Sequence, residues 1–493
     1  MNKQCLSGAL FSLSLFAANA SASYHWIDAD DIFIRADIQL LADVGVVTVP
    51  TTTYPLMWSG VMEGINRANV ATLSPDAQDA YHRVRHRFNQ YKKNKSTTKV
   101  SMAGANDSAR FQHYGSPVRE KGETTMSHMG GAGRFAYNIQ ASYAYDAQDD
   151  EDVRIDGSYL SMGIGNWIVS AGSYGEWYGQ GWDTTLIKST NARPMQQISL
   201  TRNNPEAFTV PVLQWLGPWT LTTGVSWMND DDYRAVENTL LWSFRTSFKP
   251  HPNFEFGISR TAQICGQGKG CGVGTWWDMF TGDTNDYETE NPANQLAAVD
   301  MRWGATYNGI PYGIYWESMG EDSMRLDTFP PFQAKSDLFG ADISYRLYNH
   351  MIRTFIEYTE TNAKCSGFHG NCTYEHSTYR GGYRYNGNSI GSTYDNDAKT
   401  YTIGFIGHTP IGHRWKSNFR YLDLNVDNTN APSPGGNPVA PIAEKATQVD
   451  FSYIWPLFKG QMEAGASYTH STYEDDISND NNFDIWGKWS YVF

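Results

Sequence analysis

The chain closes on Phe483 to Phe493, which read Phe-Asp-Ile-Trp-Gly-Lys-Trp-Ser-Tyr-Val-Phe. Phe483, Ile485, Gly487, Trp489, Tyr491 and Phe493 fall on one face, and Asp484, Trp486, Lys488, Ser490 and Val492 on the other. A period of two belongs to a β-strand, whose successive side chains point to opposite faces. The first face carries no charge and has aromatics at its ends. A strand of about 9–11 residues, apolar outside, more polar inside and aromatic at the interfaces, suits a lipid bilayer. The alternative is an edge strand of a soluble sheet, and the start of the chain argues against it.

That start has the layout of a secretory signal. Lys3 is the charged region, Leu6 to Ala18 is a short apolar stretch, and Ala18-Asn19-Ala20 and Ala20-Ser21-Ala22 are both small-residue cleavage sites. The expected mature chain begins near Ser21 or Ser23, and Cys5 leaves with the signal. No later stretch is long and apolar enough for a transmembrane helix.

Composition agrees with an exported barrel. Aromatics make up 14% of the residues while the mean hydropathy is −0.51, which suits one lipid face and one wet face. The net charge of −14 supplies no basic stripe for nucleic acid. The remaining cysteines form two close pairs, Cys265/Cys271 and Cys365/Cys372, and in an exported chain these predict two local disulfides. Metal binding is the weaker alternative, since neither pair is C-x-x-C and no histidine cluster accompanies them.

Residues 28 to 95 have helical spacing instead. Ile34, Ile38, Leu41 and Gly45 recur along one face, with Gly45 as a stop. Pro55 opens a second segment with Met57, Val61 and Ile65 on one side. Ser74-Pro75 caps a third, whose stripe is Ala77, Tyr81, Val84, Phe88 and Tyr91. Its polar side holds Arg83, Arg85, Arg87, Lys92, Lys93 and Lys95, either solvated or facing acidic wall residues or lipid phosphate.

From Lys99 onward the period is two. Segments beginning near Lys99, Phe135, Val153, Asn166, Met195, Glu206, Trp219, Leu240, Asn253, Gln295, Pro311, Ser336, Met351, Ala398, His413, Lys445, Gly460 and Phe483 total about 18, within the even range of roughly 8–26 for single-chain barrels. The predicted fold class is therefore an all-β transmembrane protein, an antiparallel barrel of about 18 strands with a small N-terminal helical bundle plugging its periplasmic side. The expected divisions are 1–22 signal peptide, 23–95 helical bundle and 96–493 barrel. Strand parity puts loops 265–294, 322–335, 363–397, 427–444 and 471–481 outside, and tight turns 249–253, 308–310, 349–350, 409–412 and 456–459 inside. The same parity assigns the Gly- and Trp-rich stretch 174–195 to the inner side, where it is expected to fold into the lumen and meet the helices.

The chain has no G-x-S-x-G elbow, no H-E-x-x-H and no P-loop. It resembles the Wzi-type capsule assembly family instead. The likeness is carried by Glu176-Trp177-Tyr178-Gly179-Gln180-Gly181-Trp182, Leu186-Ile187, Arg193-Pro194-Met195, Trp215-Leu216-Gly217-Pro218-Trp219, Trp276-Trp277-Asp278-Met279-Phe280-Thr281-Gly282 and Leu40 to Val46. The resemblance implies an 18-stranded barrel with a periplasmic helical plug. It also implies an outer-membrane lectin that retains capsular polysaccharide without catalysis and without a cofactor. The residues matching the family motif, Glu176, Trp177, Tyr178, Trp182 and Arg193, are expected in the lumen.

Sugar C–H faces stack on aromatic rings, and hydroxyls bond to Asp, Asn, Arg or Glu. Trp276, Trp277, Asp278, Asp283 and Asn285 in one outer loop supply both groups, as do Tyr379, Arg380, Tyr383, Arg384 and Tyr385 in another. The arginines suit an acidic polysaccharide. The alternative for the tryptophans is packing that closes the outer mouth; for the Tyr/Arg cluster it is an aromatic girdle with solvated charge. Acidic loops 228–237, 278–290 and 471–484 have oxygen ligands of the calcium type but no EF-hand spacing, so no metal is expected. The expected partners are capsular or exopolysaccharide, outer-membrane lipid and polysaccharide export machinery. A channel for sugars or small solutes is the competing function.

Overall fold

The computed structural model describes residues 25–93, 96–228, 231–232, 234–281, 293–324, 332–363, 372–429, 437, 439–474 and 479–493. The signal peptide, Lys95, Asp283, Asn285, Cys365 and parts of all three acidic loops lie outside them.

From Ser96–Ala105 to Asn479–Val492, strands pair antiparallel with their neighbours and close into a barrel. Val153–Arg154 and Tyr159–Ile164 both pair with Phe135–Tyr145 and form one interrupted stave, so the barrel has 18. The last strand pairs with the first, Val492 opposite Lys99 and Trp489 opposite Met102, and the Phe493 N–H donates to Thr98 O at 2.9 Å. Closure matters because lipid offers no partner to an unpaired strand edge.

Alternate residues along each stave face outward. Ile139, Tyr143, Ile314, Phe339, Ile356, Ile403, Phe451 and Ile485 are all exposed, and together they form a belt far larger than a water-soluble surface carries. The residues between them, such as Ser243, Arg245 and Ser247, point inward and are buried. No described helix is long and apolar enough to cross a membrane. The turns at one rim are tight. At Asn308-Gly309 both residues take positive φ, 50° and 81°, as a two-residue hairpin turn requires.

The N-terminal region supplies helices α1 (Ile32–Asp43), α2 (Trp58–Arg67) and α3 (Pro75–Lys93). Asp31 caps α1 by accepting from the Phe33 and Ile34 N–H groups, and Gly45 at φ 79° ends it. Every residue of α1 is buried, and its stripe packs on Ala77, Ala80, Tyr81 and Val84 of α3. The basic side of α3 turns partly inward, with Arg83 bonded to Asp37 of α1 at 2.6–2.7 Å. Arg85, Lys92 and Lys93 are exposed, as the solvated alternative has it, and where α3 meets the wall the sign is the reverse of the acidic-wall alternative: Arg346 of the barrel binds Asp76 and Asp79 of α3, both at 2.6 Å.

Two corrections to the strand reading cancel in the count. The segment near Glu206 is not a strand but part of the connection 203–218, because Pro205, Pro211 and Pro218 break the alternation of Phe208, Val210 and Val212. The strand Gly122–Ala132 was missed; its outward positions are Thr124, Met126 and His128, without the aromatic signal. Between these two positions parity is inverted. Ser173 pairs with Gln196, Gln196 with Trp227, Trp227 with Leu240 and Leu240 with Ile264, so the stretch 174–195 leaves the barrel at the long-loop rim and not at the inner one.

A lysine placed at Phe451, near mid-height on the lipid face, is expected to cost about 2–4 kcal/mol, and Phe493→Asp at the rim less. The folded fraction, read from heat-modifiable gel mobility, should fall further for Phe451→Lys. Equal, normal yields for both variants would contradict the assignment of the lipid face.

Candidate functional site: a filled lumen under an outer cap

The stretch 174–195 runs from the outer rim down into the lumen, where a backbone outside any sheet must find other partners. Trp177–Tyr178 takes some of them from Thr53–Tyr54, next to the helices, as a short antiparallel pair. Wall carboxylates supply the rest. Glu317 accepts from Gly181 N at 2.8 Å, Leu186 N at 3.2 Å and Thr185 Oγ1 at 2.8 Å, and also from Gln180 N. Glu357 accepts from Asp183 N at 3.0 Å, Tyr315 Oη at 2.8 Å and Trp182 N. Glu255 holds Thr51 N and Thr52 N at 3.0–3.2 Å. Gly179 takes φ 144°, and a Cβ there would collide with Thr185 and the Glu317 carboxylate.

Cations complete this interior. The Arg35 guanidinium of α1 lies 4.5–5.8 Å from the rings of Tyr54, Tyr114, Trp177 and Trp182, and donates to Gly181 O at 2.7 Å. Asp43, at the C-terminal end of α1 where the helix dipole disfavours an anion, is paired with Arg302 and Arg353 of the wall at 3.1–3.2 Å. The same arginines bind Asp342, which accepts from Trp182 Nε1 at 3.2 Å. Arg245 pairs with Asp300 at 2.7 Å. Burial alone would raise the Asp183 carboxyl, but Arg420 at 2.7 Å, with His113, holds it well below the ordinary range. Glu176 pairs with Lys188 and accepts from Tyr178 Oη at 2.7 Å, while Arg193 binds Asp156, Asp149 and Glu151. Glu176, Trp177, Tyr178, Trp182 and Arg193 are thus all buried, from the lumen to its outer end.

The outer cap rests on this filling. Residues 372–397 carry a short hairpin, Arg384–Tyr385 with Asn388–Ser389. Tyr383 is fully buried and donates to Ile187 O at 3.0 Å. Arg384 binds Asp395 at 2.6 Å and Glu375, Tyr379 donates to Cys265 O at 3.0 Å, and Tyr385 is buried. Tyr379, Tyr383 and Arg384 therefore bind the protein itself and are not free to grip a ligand. Arg380 is exposed. The bond Cys265–Cys271 is present; Cys372 is buried, and its expected partner Cys365 lies outside the described residues.

Trp276, Trp277 and Asp278 lie on helix α4 (Val273–Thr281). Met279 is buried and Trp276 partly so against Trp242, Ala262 and Ile264. Those three residues share the strand parity of Phe248 and Phe254, opposite to inward Arg245 and Glu255, so α4 sits on the outward face of the wall and does not close the mouth. Trp277 is 66% exposed.

The charges that organise the lumen, Glu255, Arg302, Glu317, Asp342, Arg353, Glu357 and Arg420, were not singled out in the sequence. Their signal was available, since each sits at an inward position of an alternating segment.

Fold and site together define a plugged outer-membrane β-barrel. The chain belongs to the capsule assembly protein Wzi family, whose sequence profile matches residues 91–484. It is 26% identical over 319 residues to a 55.8 kDa protein in the cps region of Klebsiella pneumoniae, covering 63% of this chain and 60% of that protein's length. Its fold matches Wzi of Escherichia coli, described as a carbohydrate-binding β-barrel involved in group 1 capsule assembly. The TM-score is 0.81 at 20% identity, over 96% of this chain and 100% of that one.

Two measurements test the site. Glu317→Ala leaves the Gly181 and Leu186 amides buried without their acceptor, at about 1–3 kcal/mol per group, so hydrogen exchange should accelerate between residues 179 and 187. Unchanged protection there would remove Glu317 from this role. In the cap, burial and neighbouring Asp427 push the Asp397 carboxyl up to about 7 from an ordinary 3.8. A raised carboxyl pKa means that the folded state holds the extra proton, so stability falls as pH rises from about 4 to 7. Proteolysis of the cap should therefore be slower at pH 5 than at pH 8, and Asp397→Asn should flatten the difference.

Proposed function

We propose that this protein holds capsular or exopolysaccharide at the outer surface of the outer membrane, without catalysis and without a cofactor. The observation that carries this reading is the filled lumen. Trp177 and Trp182 are buried within it, and the stretch around them is bonded to the wall through Glu317 and Glu357 and to the N-terminal helices through Arg35. A barrel stopped in this way has its outer surface as its working face, which favours retention over the channel reading. Membership of the Wzi family supports the same conclusion, as does the carbohydrate binding described for the Escherichia coli barrel.

Exposed Arg380 is the member of the Tyr/Arg cluster proposed to meet the polymer, with Tyr379, Tyr383 and Arg384 shaping the surface beneath it. Asp278, partly exposed near the rim, supplies a hydroxyl acceptor. The absence of nucleophile and metal motifs fits a lectin. The buried wall carboxylates Glu317 and Glu357 already accept backbone amides. Outer-membrane lipid and export machinery are the further partners proposed.

Cells lacking the protein should synthesise polymer but release it to the medium. Arg380→Glu should weaken retention by a few-fold per site, since one exposed charge contact contributes about 0.2–1 kcal/mol, and a long polymer touching many copies multiplies the loss. The ratio of cell-bound to released polymer reads both effects. Unchanged retention in the deletion strain of a producing organism would overturn the proposal, and a sugar-blocked conductance from purified protein would establish the channel.

A further inference from the structure

Helix α4 is apolar on two sides. Thr275, Trp276 and Met279 face the barrel wall. Val273, Trp277 and Phe280, at i, i+4 and i+7, make a second stripe whose members are 88%, 66% and 50% exposed. The stripe lies beside the lipid belt of the barrel, because the residues beneath the helix, Val225, Trp242, Phe244 and Ala262, are themselves outward-facing wall positions. Trp242 meets Phe280 edge-on at 5.2 Å.

A second observation concerns the charge next to the helix. Arg260 occupies an outward wall position, where an ion in lipid would be costly. Its guanidinium donates to Met279 O at 2.5 Å, to Phe280 O at 3.4 Å and to Gln295. It reaches the last described turn of α4, where the helix dipole favours a cation. With these two carbonyls answered by the wall, the helix packs on the barrel through Thr275, Trp276 and Met279 and turns the Val273–Trp277–Phe280 stripe outward.

We propose that α4 lies in the membrane interface, with the Val273–Trp277–Phe280 stripe set at the boundary between acyl chains and headgroups of the outer leaflet. Tryptophan favours that depth, and an apolar helical stripe parallel to the surface is the usual means of occupying it. The occupant of this surface is lipid. The continuity of the stripe with the lipid belt favours that over sugar, and Trp277 thereby leaves the set of polymer contacts.

The test attaches a bimane fluorophore through Val273→Cys, and in a second protein through Phe280→Cys, with Ser377→Cys in the exposed cap as reference. Wild type carried through the same labelling sets the background, and heat-modifiable mobility confirms folding of each variant. The proteins are refolded into phosphatidylcholine vesicles with and without lipid spin-labelled near the headgroup, with iodide as the aqueous quencher on both sides. Spin-labelled lipid should quench the 273 and 280 probes several-fold more than the 377 probe, and iodide should do the reverse. Two results would overturn the proposal. One is iodide quenching at 273 and 280 equal to that at 377 with no effect of spin-labelled lipid, which places the helix in water. The other is shielding that appears only as the protein-to-lipid ratio rises, which assigns the stripe to a second copy of the chain.

Discussion

A backbone inside a barrel but outside its sheet has nowhere to turn for hydrogen bonds except the wall. Glu255, Glu317 and Glu357 answer this need. Each carboxylate has two oxygens and accepts several donors, so a few inward-pointing side chains satisfy a long irregular stretch. Arginines then balance the charge: Arg245 beside Asp300, Arg302 and Arg353 between Asp43 and Asp342, Arg420 on Asp183. Removing one partner from such a network leaves another buried and unanswered, which is why the interior behaves as a unit.

The barrel was legible because its physics is written in alternation. The terminal stretch, the helical stripes of α1 and α3, the tight inner turns and the Cys265–Cys271 bond could be read from residue spacing. The alternation failed where the outward positions carried Thr124, Met126 and His128 without an aromatic, at Gly122–Ala132, and where prolines interrupted an apolar run, at 203–218. These slips also misplaced the stretch 174–195, since parity carries each miscount to the next connection.

The lumen and the surface were harder to read. Tyr383 and Arg384 look like ligand groups in sequence because burial is a tertiary property: nothing local says that Ile187 O and Asp395 wait for them. Trp276 and Trp277 are adjacent in sequence but point to different sides of a helix, one partly packed on the wall and one open. No spacing rule reveals which side of the barrel wall a loop helix will choose.

The short pairing of Trp177–Tyr178 with Thr53–Tyr54 joins a segment entering from the outer rim to one anchored among the helices on the other side. With Arg35 gripping Gly181 O and Asp43 held by Arg302 and Arg353, the protein has a tie rod along its axis. A tug on the cap is passed down this rod to the inner end and shared among the staves that carry Glu317, Glu357, Arg302 and Arg353, so no single strand pair at the outer rim bears it alone.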